Sequence, residues 1–132
     1  MKLLVCGGRN WSNYKQVKEI IVFIHDRFGP IAYIIEGGAL GADQYAAQAG
    51  RELGIRVQEF PARWEEYKEK YPVAQYGMKW KSAGNDRNQQ MLDEGKPDLV
   101  LAFHADIASS KGTWDMIKRA NKAGVLVILI AK

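Results

Sequence analysis

The sequence has few of the side chains that most often carry metal or thiol chemistry. It holds a single cysteine, Cys6, so no internal disulfide can form. A lone cysteine in an apolar run reads as a small core residue of a cytoplasmic protein. Only two histidines are present, His25 and His104, with no Cys/His spacing of the zinc kind, so no metal site and no cofactor are predicted. No apolar run approaches the ~18 residues of a membrane span. The start, "MKLLVCGGRN", has too short an apolar stretch for a signal peptide. There is no G-x-x-x-x-G-K-S/T, which disfavours a Walker-type ATPase, and no G-x-G-x-x-G after the first apolar run, which disfavours an ordinary NAD site. No Ser-His-Asp arrangement, internal repeat or low-complexity linker is legible.

What is there fits one soluble globular domain spanning 1–132. The chain is 47% hydrophobic and 26% charged, and long enough to bury a real core. Its net charge of +4 favours an anionic partner, though weakly.

Five segments read as strands: "KLLVCGG" (2–8), "IAYIIEGG" (31–38), "IRVQEF" (55–60), "DLVLAFH" (98–104) and "VLVILI" (125–130). Several are near-continuous apolar runs, the pattern of a parallel sheet covered on both faces. Helical patterns fall between them. In 13–28, Val17, Ile20, Ile21, Ile24 and Phe28 make one stripe, capped by Ser12 or Asn13 and ended by Gly29-Pro30. Residues 41–53 carry a small-residue face, 85–94 are polar but helix-compatible and closed by Gly95 and Pro97, and 110–123 present Met116, Ile117 and Ala120. This alternation predicts a doubly wound, Rossmann-like parallel sheet of order 3-2-1-4-5. Residues 61–84 interrupt the rhythm with an aromatic-rich insert, in which Trp64, Tyr67 and Tyr71 share a face of a short helix.

In such sheets ligands bind outside the carboxyl ends of the strands, where strand order reverses. The loops at that edge are "GGRNWSN" (7–13), "EGGALGAD" (36–43) and "HADIASSKGT" (104–113). A glycine loop feeding a helix offers unpaired N–H groups and the positive end of the helix dipole, a seat for phosphate. The candidate phosphate or ligand contacts are therefore Gly7, Gly8, Arg9, Gly37, Gly38, Gly41, Ala42, Asp43, Ser109, Ser110, Lys111, Gly112 and Thr113. Asp43, in the first helical turn, is suited to a ribose hydroxyl, a backbone amide or a metal. Glu36 ends the second strand, where dinucleotide folds keep the acid for a ribose diol; a solvated strand-end carboxylate is the alternative. His104 sits beside the same edge, with either a proton-transfer role or a satisfied structural hydrogen bond.

"VCGGR", "EGGALGAD", "AGNDRNQQM" and "DLVLAFHADIASSKGTWDMIKRANKAGV" together resemble the YspA/YpsA-related branch of the SLOG superfamily, over nearly the whole chain. The resemblance implies a Rossmann-like fold, binding of a nucleotide or nucleotide-derived ligand, and pairing into a homodimer. The superfamily includes Smf/DprA and the Lonely Guy phosphoribohydrolases. The latter carry an R-K pair and then P-G-G-x-G-T-x-x-E. Here Arg87 stands at the arginine position and Asn88 at the lysine, while Gly112 and Thr113 match the phosphate-binding pair. Met116 takes the glutamate position, with Asp115 one residue early, a ~100° rotation on a helix. Arg87, Asp115 and Glu36 are accordingly the candidate catalytic groups. The leading expectation is a nucleotide binder or sensor. The alternatives are a nucleoside 5′-monophosphate N-glycosidase and a module binding single-stranded nucleic acid through the basic, aromatic insert.

Overall fold

The computed structural model describes all residues, 1–132. Five parallel strands form one sheet in the order β3-β2-β1-β4-β5. In chain order the elements are β1 (Lys2–Gly7), α1 (Tyr14–Phe28), β2 (Tyr33–Glu36), α2 (Ala42–Leu53) and β3 (Arg56–Glu59). The insert follows as α3 (Trp64–Lys70), α4 (Val73–Tyr76) and a 3-10 turn (Lys79–Ser82). Then come α5 (Ala83–Gly95), β4 (Leu99–Phe103), a second 3-10 turn (Ile107–Ser109), α6 (Gly112–Lys122) and β5 (Leu126–Ile130). No helix is long and apolar enough to cross a membrane.

The continuous apolar runs are explained by two cores, one on each face of the sheet. Alternate residues of a strand point to opposite faces. Leu3, Val5, Ile34, Leu101 and Phe103 pack under α1 and α2, while Leu4, Cys6, Ile35, Val100 and Ala102 pack under α5 and α6. In α2, Ala42, Ala46 and Ala49 are fully buried, and these short side chains let the helix lie close to the sheet.

Boundaries differ from the sequence pattern in instructive places. Asn13, not Ser12, caps α1, its Oδ1 accepting from the Gln16 N–H at 3.0 Å. Phe28, read as part of the α1 stripe, is 65% exposed, and Ile31, just past the helix, is the residue buried in the core under α1. Gly95 does not terminate α5. It lies in the last turn, where a Cβ would come within 2.9 Å of Ile35 Cδ1, and Lys96 takes the left-handed cap at φ 50°.

None of α3, α4 and the first 3-10 turn contributes a buried residue. The insert's aromatics meet edge to face: Tyr67 with Tyr71, Tyr71 with Tyr76, and Trp64 with Trp80. The Tyr67 hydroxyl anchors it by donating to Asp86 of α5 at 2.5 Å. β1 lies between β2 and β4, so chain order reverses at the β1–β4 boundary.

Candidate functional site

An open cleft of about 300 Å³ lies at that boundary. All three predicted loops reach it, and α5 supplies a fourth wall. Of the predicted residues, Gly7, Gly8, Arg9, Asp43, Arg87, Asn88, Ser110, Lys111, Gly112 and Thr113 line the cleft. His104, Ala39, Cys6 and Met91 complete it. These four were absent from the predicted contacts. The sequence places His104 beside this edge and Ala39 in the second predicted loop, so position marks both; nothing in the pattern marks Cys6 or Met91.

The first two loops interlock. Gly8 donates to the Phe103 carbonyl at 2.8 Å and accepts from the Ala42 N–H at 3.3 Å. Gly41, at φ 77°, must be glycine because a Cβ there would lie 2.6 Å from the Arg9 carbonyl oxygen and overlap that of Gly8. The glycine-rich loop is folded around its own acids. Asp43 Oδ2 accepts from the N–H groups of Gly37 at 3.1 Å and Ala39 at 3.3 Å, and Glu36 Oε2 accepts from that of Gly38 at 2.5 Å. A Cβ on Gly37 would overlap the Arg87 guanidinium. The amides of Gly37 and Gly38 are thus spent inside the chain, which corrects the expectation that they cradle phosphate. Ala42 is buried in the core and Gly41 is packed under the first loop, so neither lines the cleft.

The third loop is the open one. Ser110 Oγ accepts from the N–H groups of Thr113 at 3.1 Å and Trp114 at 3.4 Å, capping α6. The amides of Lys111 and Gly112 have no acceptor within the chain. Nothing lies within 4 Å of a Cβ built on Gly112. These two donors stand at the positive end of the α6 dipole, the setting in which an anion is held by main chain. Ser109 is directed away, its hydroxyl donating to the Asp106 carbonyl at 3.0 Å, and it does not line the cleft.

Cations dominate the walls. Arg9 and Lys111 pair with no carboxylate. Arg87 is held through Nη1 on the Gly37 carbonyl at 2.6 Å and the Phe60 carbonyl at 3.4 Å, and through Nε on Asn88 Oδ1 at 3.2 Å. Its Nη2 bonds to nothing in the chain. Asn88 acts as a positioning residue, because its Nδ2 donates to the Gly112 carbonyl at 3.2 Å and to Asp115 at 3.0 Å.

Asp43 is the one acid lining the cleft. Burial pushes its carboxyl up to about 6, against the pull of Arg87 and of the Ala39 and Gly37 amides. Asp115 does not reach the cleft. Its carboxylate is held by Arg119 Nε at 2.8 Å and by Asn88. The Asp115–Arg119 spacing of four residues on a helix is the signal that would have assigned this pair. Met116 is fully buried beneath α6. Glu36 is also sealed off, with no exposure and with Oε1 lacking any partner. Its register partner Glu59 shares its side of the sheet. Glu36 therefore cannot receive a ribose diol in this conformation. Burial pushes its carboxyl up to about 8, the Gly38 amide pulling it down and the neighbouring Glu59 and Asp43 raising it.

The native state holds the Glu36 proton to about pH 8, whereas the unfolded chain releases it near its ordinary 4.5. The Glu36 contribution to stability is therefore fully present below about pH 4.5 and is lost as pH rises to about 8. Glu36→Gln, which mimics the protonated acid, is expected to be more stable than the parent at pH 8 by a few kcal/mol, on the order expected for ~3 pH units of linkage, and equal to it near pH 4.5. Thermal melts of both proteins at the two pH values check this.

His104 Nδ1 accepts from the Asp106 N–H at 3.0 Å, so in the neutral ring the proton sits on Nε2. That nitrogen lies 3.7 Å from a Cβ built on Gly8, at the cleft. Of the two sequence readings of His104, the structure shows the satisfied hydrogen bond, with the ring at the cleft wall. Burial raises the Cys6 thiol far above its ordinary value, which excludes a nucleophilic thiolate. No three His, Cys, Asp or Glu side chains converge to hold a metal ion. Trp11 packs on Phe103 with ring centroids 5.5 Å apart and does not roof the cleft.

The sequence matches the family model of the YspA, cpYpsA-related SLOG proteins, YAcAr, over residues 1–67. The chain belongs to the YAcAr family. The match runs from β1 into α3 and so includes the two interlocked loops of the cleft, with the open 109–113 loop beyond it. The YAcAr chain is similar in fold to DNA processing protein A (DprA) from Streptococcus pneumoniae, with a TM-score of 0.69 at 19% identity. The superposition covers 97% of this chain and 49% of DprA, so the chain spans about half the length of that protein. No curated protein matches the sequence.

Proposed function

We propose that this YAcAr protein binds a phosphate-bearing, nucleotide-derived ligand in the cleft at the β1–β4 boundary. The carrying observation is the convergence there of the free Lys111 and Gly112 amides with Arg9, Lys111 and the unbonded Nη2 of Arg87. Phosphate takes the α6 N-terminus, Arg87 and Arg9 flank it, and Asp43 Oδ1, which makes no bond in the chain, addresses a sugar hydroxyl. Binding without hydrolysis is the reading. Asp115 is paired elsewhere, and Asp43 is engaged in holding the glycine loop closed.

Isothermal titration with inorganic phosphate and the four nucleoside 5′-monophosphates tests it. Saturable one-site binding is expected, weakened at least ~10-fold by Lys111→Glu, with no free base released on prolonged incubation. At ~100 times the dissociation constant the ligand should add about 2.7 kcal/mol of stability. Absence of binding by every one of these ligands would contradict the proposal.

Single-stranded nucleic acid is the weaker reading. It would use the insert, but Lys68 sits over the Trp80 ring at 4.8 Å and Lys79 over Tyr71 at 4.5 Å, covering ring faces that bases would need. Salt-dependent retention of single-stranded DNA, lost on replacing Lys79 and Lys81 with glutamate, would favour it instead.

A further inference from the structure

A second hollow, of about 270 Å³, opens at the carboxyl ends of β2 and β3. It adjoins the anion cleft directly, because Arg9, Ala39 and Arg87 line both. Each hollow alone sits at or below the small end of ligand sites, roughly 300–1,000 Å³, whereas the two in continuity suit a molecule with two chemically different ends.

The walls differ as the ends should. Where the first cleft offers amides and cations, the second adds Leu40, Pro61, Ala62 and Trp64. Leu40 is 63% exposed on the glycine loop, although all five branched aliphatic side chains of β1 and β2 are fully buried. Trp64 is held from the other side: its ring meets Trp80 edge to face with centroids 6.1 Å apart, and it abuts Gly84, where a Cβ would come within 3.0 Å of the indole. Trp80 carries Lys68 and Lys81 over its ring, while no cation covers Trp64. Trp64, anchored against Gly84 and half-buried in the wall of the hollow with no cation over its ring, stands as an aromatic surface on the same hollow as the aliphatic Leu40.

We infer that this second hollow is the compartment for a nucleobase, seated between Leu40 and Trp64, with the sugar and phosphate running over Arg9 and Arg87 to the α6 N-terminus. The inference rests on the anion site proposed above and names its ligand as a nucleotide, as opposed to a sugar phosphate or free phosphate. Stacking of one base on an aromatic side chain corresponds to roughly 5–150-fold in affinity.

Titration calorimetry on the full chain with inorganic phosphate, ribose 5-phosphate and the four nucleoside 5′-monophosphates separates the two claims. At least one monophosphate is expected to bind about 10-fold or more tightly than ribose 5-phosphate. Trp64→Ala should reduce it to the ribose 5-phosphate level, Trp64→Phe should restore most of the difference, and phosphate affinity should stay unchanged throughout. Leu40→Ala, at an exposed position that leaves the insert intact, should weaken the nucleotide alone. If ribose 5-phosphate and all four monophosphates bind equally, or if neither Leu40→Ala nor Trp64→Ala affects the preference, the base compartment is overturned and the anion site stands. If none of the probes binds, both are overturned.

Discussion

Gly41→Ala is expected to lower the melting temperature by roughly 10–20 °C, while Gly112→Ala leaves it within a few degrees. Both residues are glycines at helix starts beside the same cleft, so the contrast isolates two different reasons for glycine. At Gly41 the backbone has φ 77°, and a Cβ would lie 2.6 Å from the Arg9 carbonyl oxygen, which belongs to rigid main chain. A left-handed alanine costs about 1–2 kcal/mol, and overpacking adds about 1–3 kcal/mol. At Gly112 a Cβ meets nothing within 4 Å, and alanine suits a helix. The space it would fill is the proposed anion seat. Gly112→Ala should therefore fold normally and bind phosphate at least ~10-fold more weakly, since a Cβ hinders approach to the Lys111 and Gly112 amides. Melting curves with and without phosphate read both effects. A stable Gly112→Ala with undiminished phosphate binding would mean that the third loop is only a turn and cap.

Arg87→Ala is the second large effect. The guanidinium fastens the end of β2 to the chain after β3 through the Gly37 and Phe60 carbonyls, and it steadies Asn88, which in turn holds the start of α6. Loss of a charged donor to partly buried carbonyls costs about 2–4 kcal/mol. Phosphate affinity should fall about 10–100-fold at the same time. Arg87→Lys keeps the charge without the fork, so it should rescue binding in part and the carbonyl ties poorly. Asp43 supplies an independent readout. Arg87 pulls its carboxyl down, so without Arg87 it titrates above its present value of about 6. Because the unfolded chain releases that proton near 3.8, the loss of stability with rising pH should extend to higher pH in Arg87→Ala than in the parent. A variant with unchanged stability and an unchanged pH profile would show that Arg87 is a surface residue.

The fold was legible because its signals are local. Apolar runs such as "LVLAF", separated by helices with an apolar stripe and by glycine-bearing turns, specify buried parallel strands and crossovers, and these set the strand order and the point of reversal. From that point the cleft followed, and with it Arg9, Lys111, Gly112 and Thr113, whereas Arg87 and Asn88 came only from the family resemblance. What the sequence could not convey is which partner each group finds. A glycine freed for a ligand and a glycine freed for Arg87 look identical in one dimension, and Gly37 is of the second kind. Glu36 has the position of a ribose ligand, but its side chain is fully buried and its Oε2 is taken by the Gly38 amide. Trp64 and Leu40 lie 24 residues apart, and only the fold places them on one hollow.

Amide NMR during titration with inorganic phosphate tests the account at its centre. The largest saturable shifts are expected at the N–H groups of Lys111 and Gly112, with those of Gly37, Gly38 and Ala39 nearly still because Asp43 and Glu36 already hold them. Shifts concentrated at residues 37–39 with Lys111 and Gly112 silent, or no saturable shift anywhere, would contradict it.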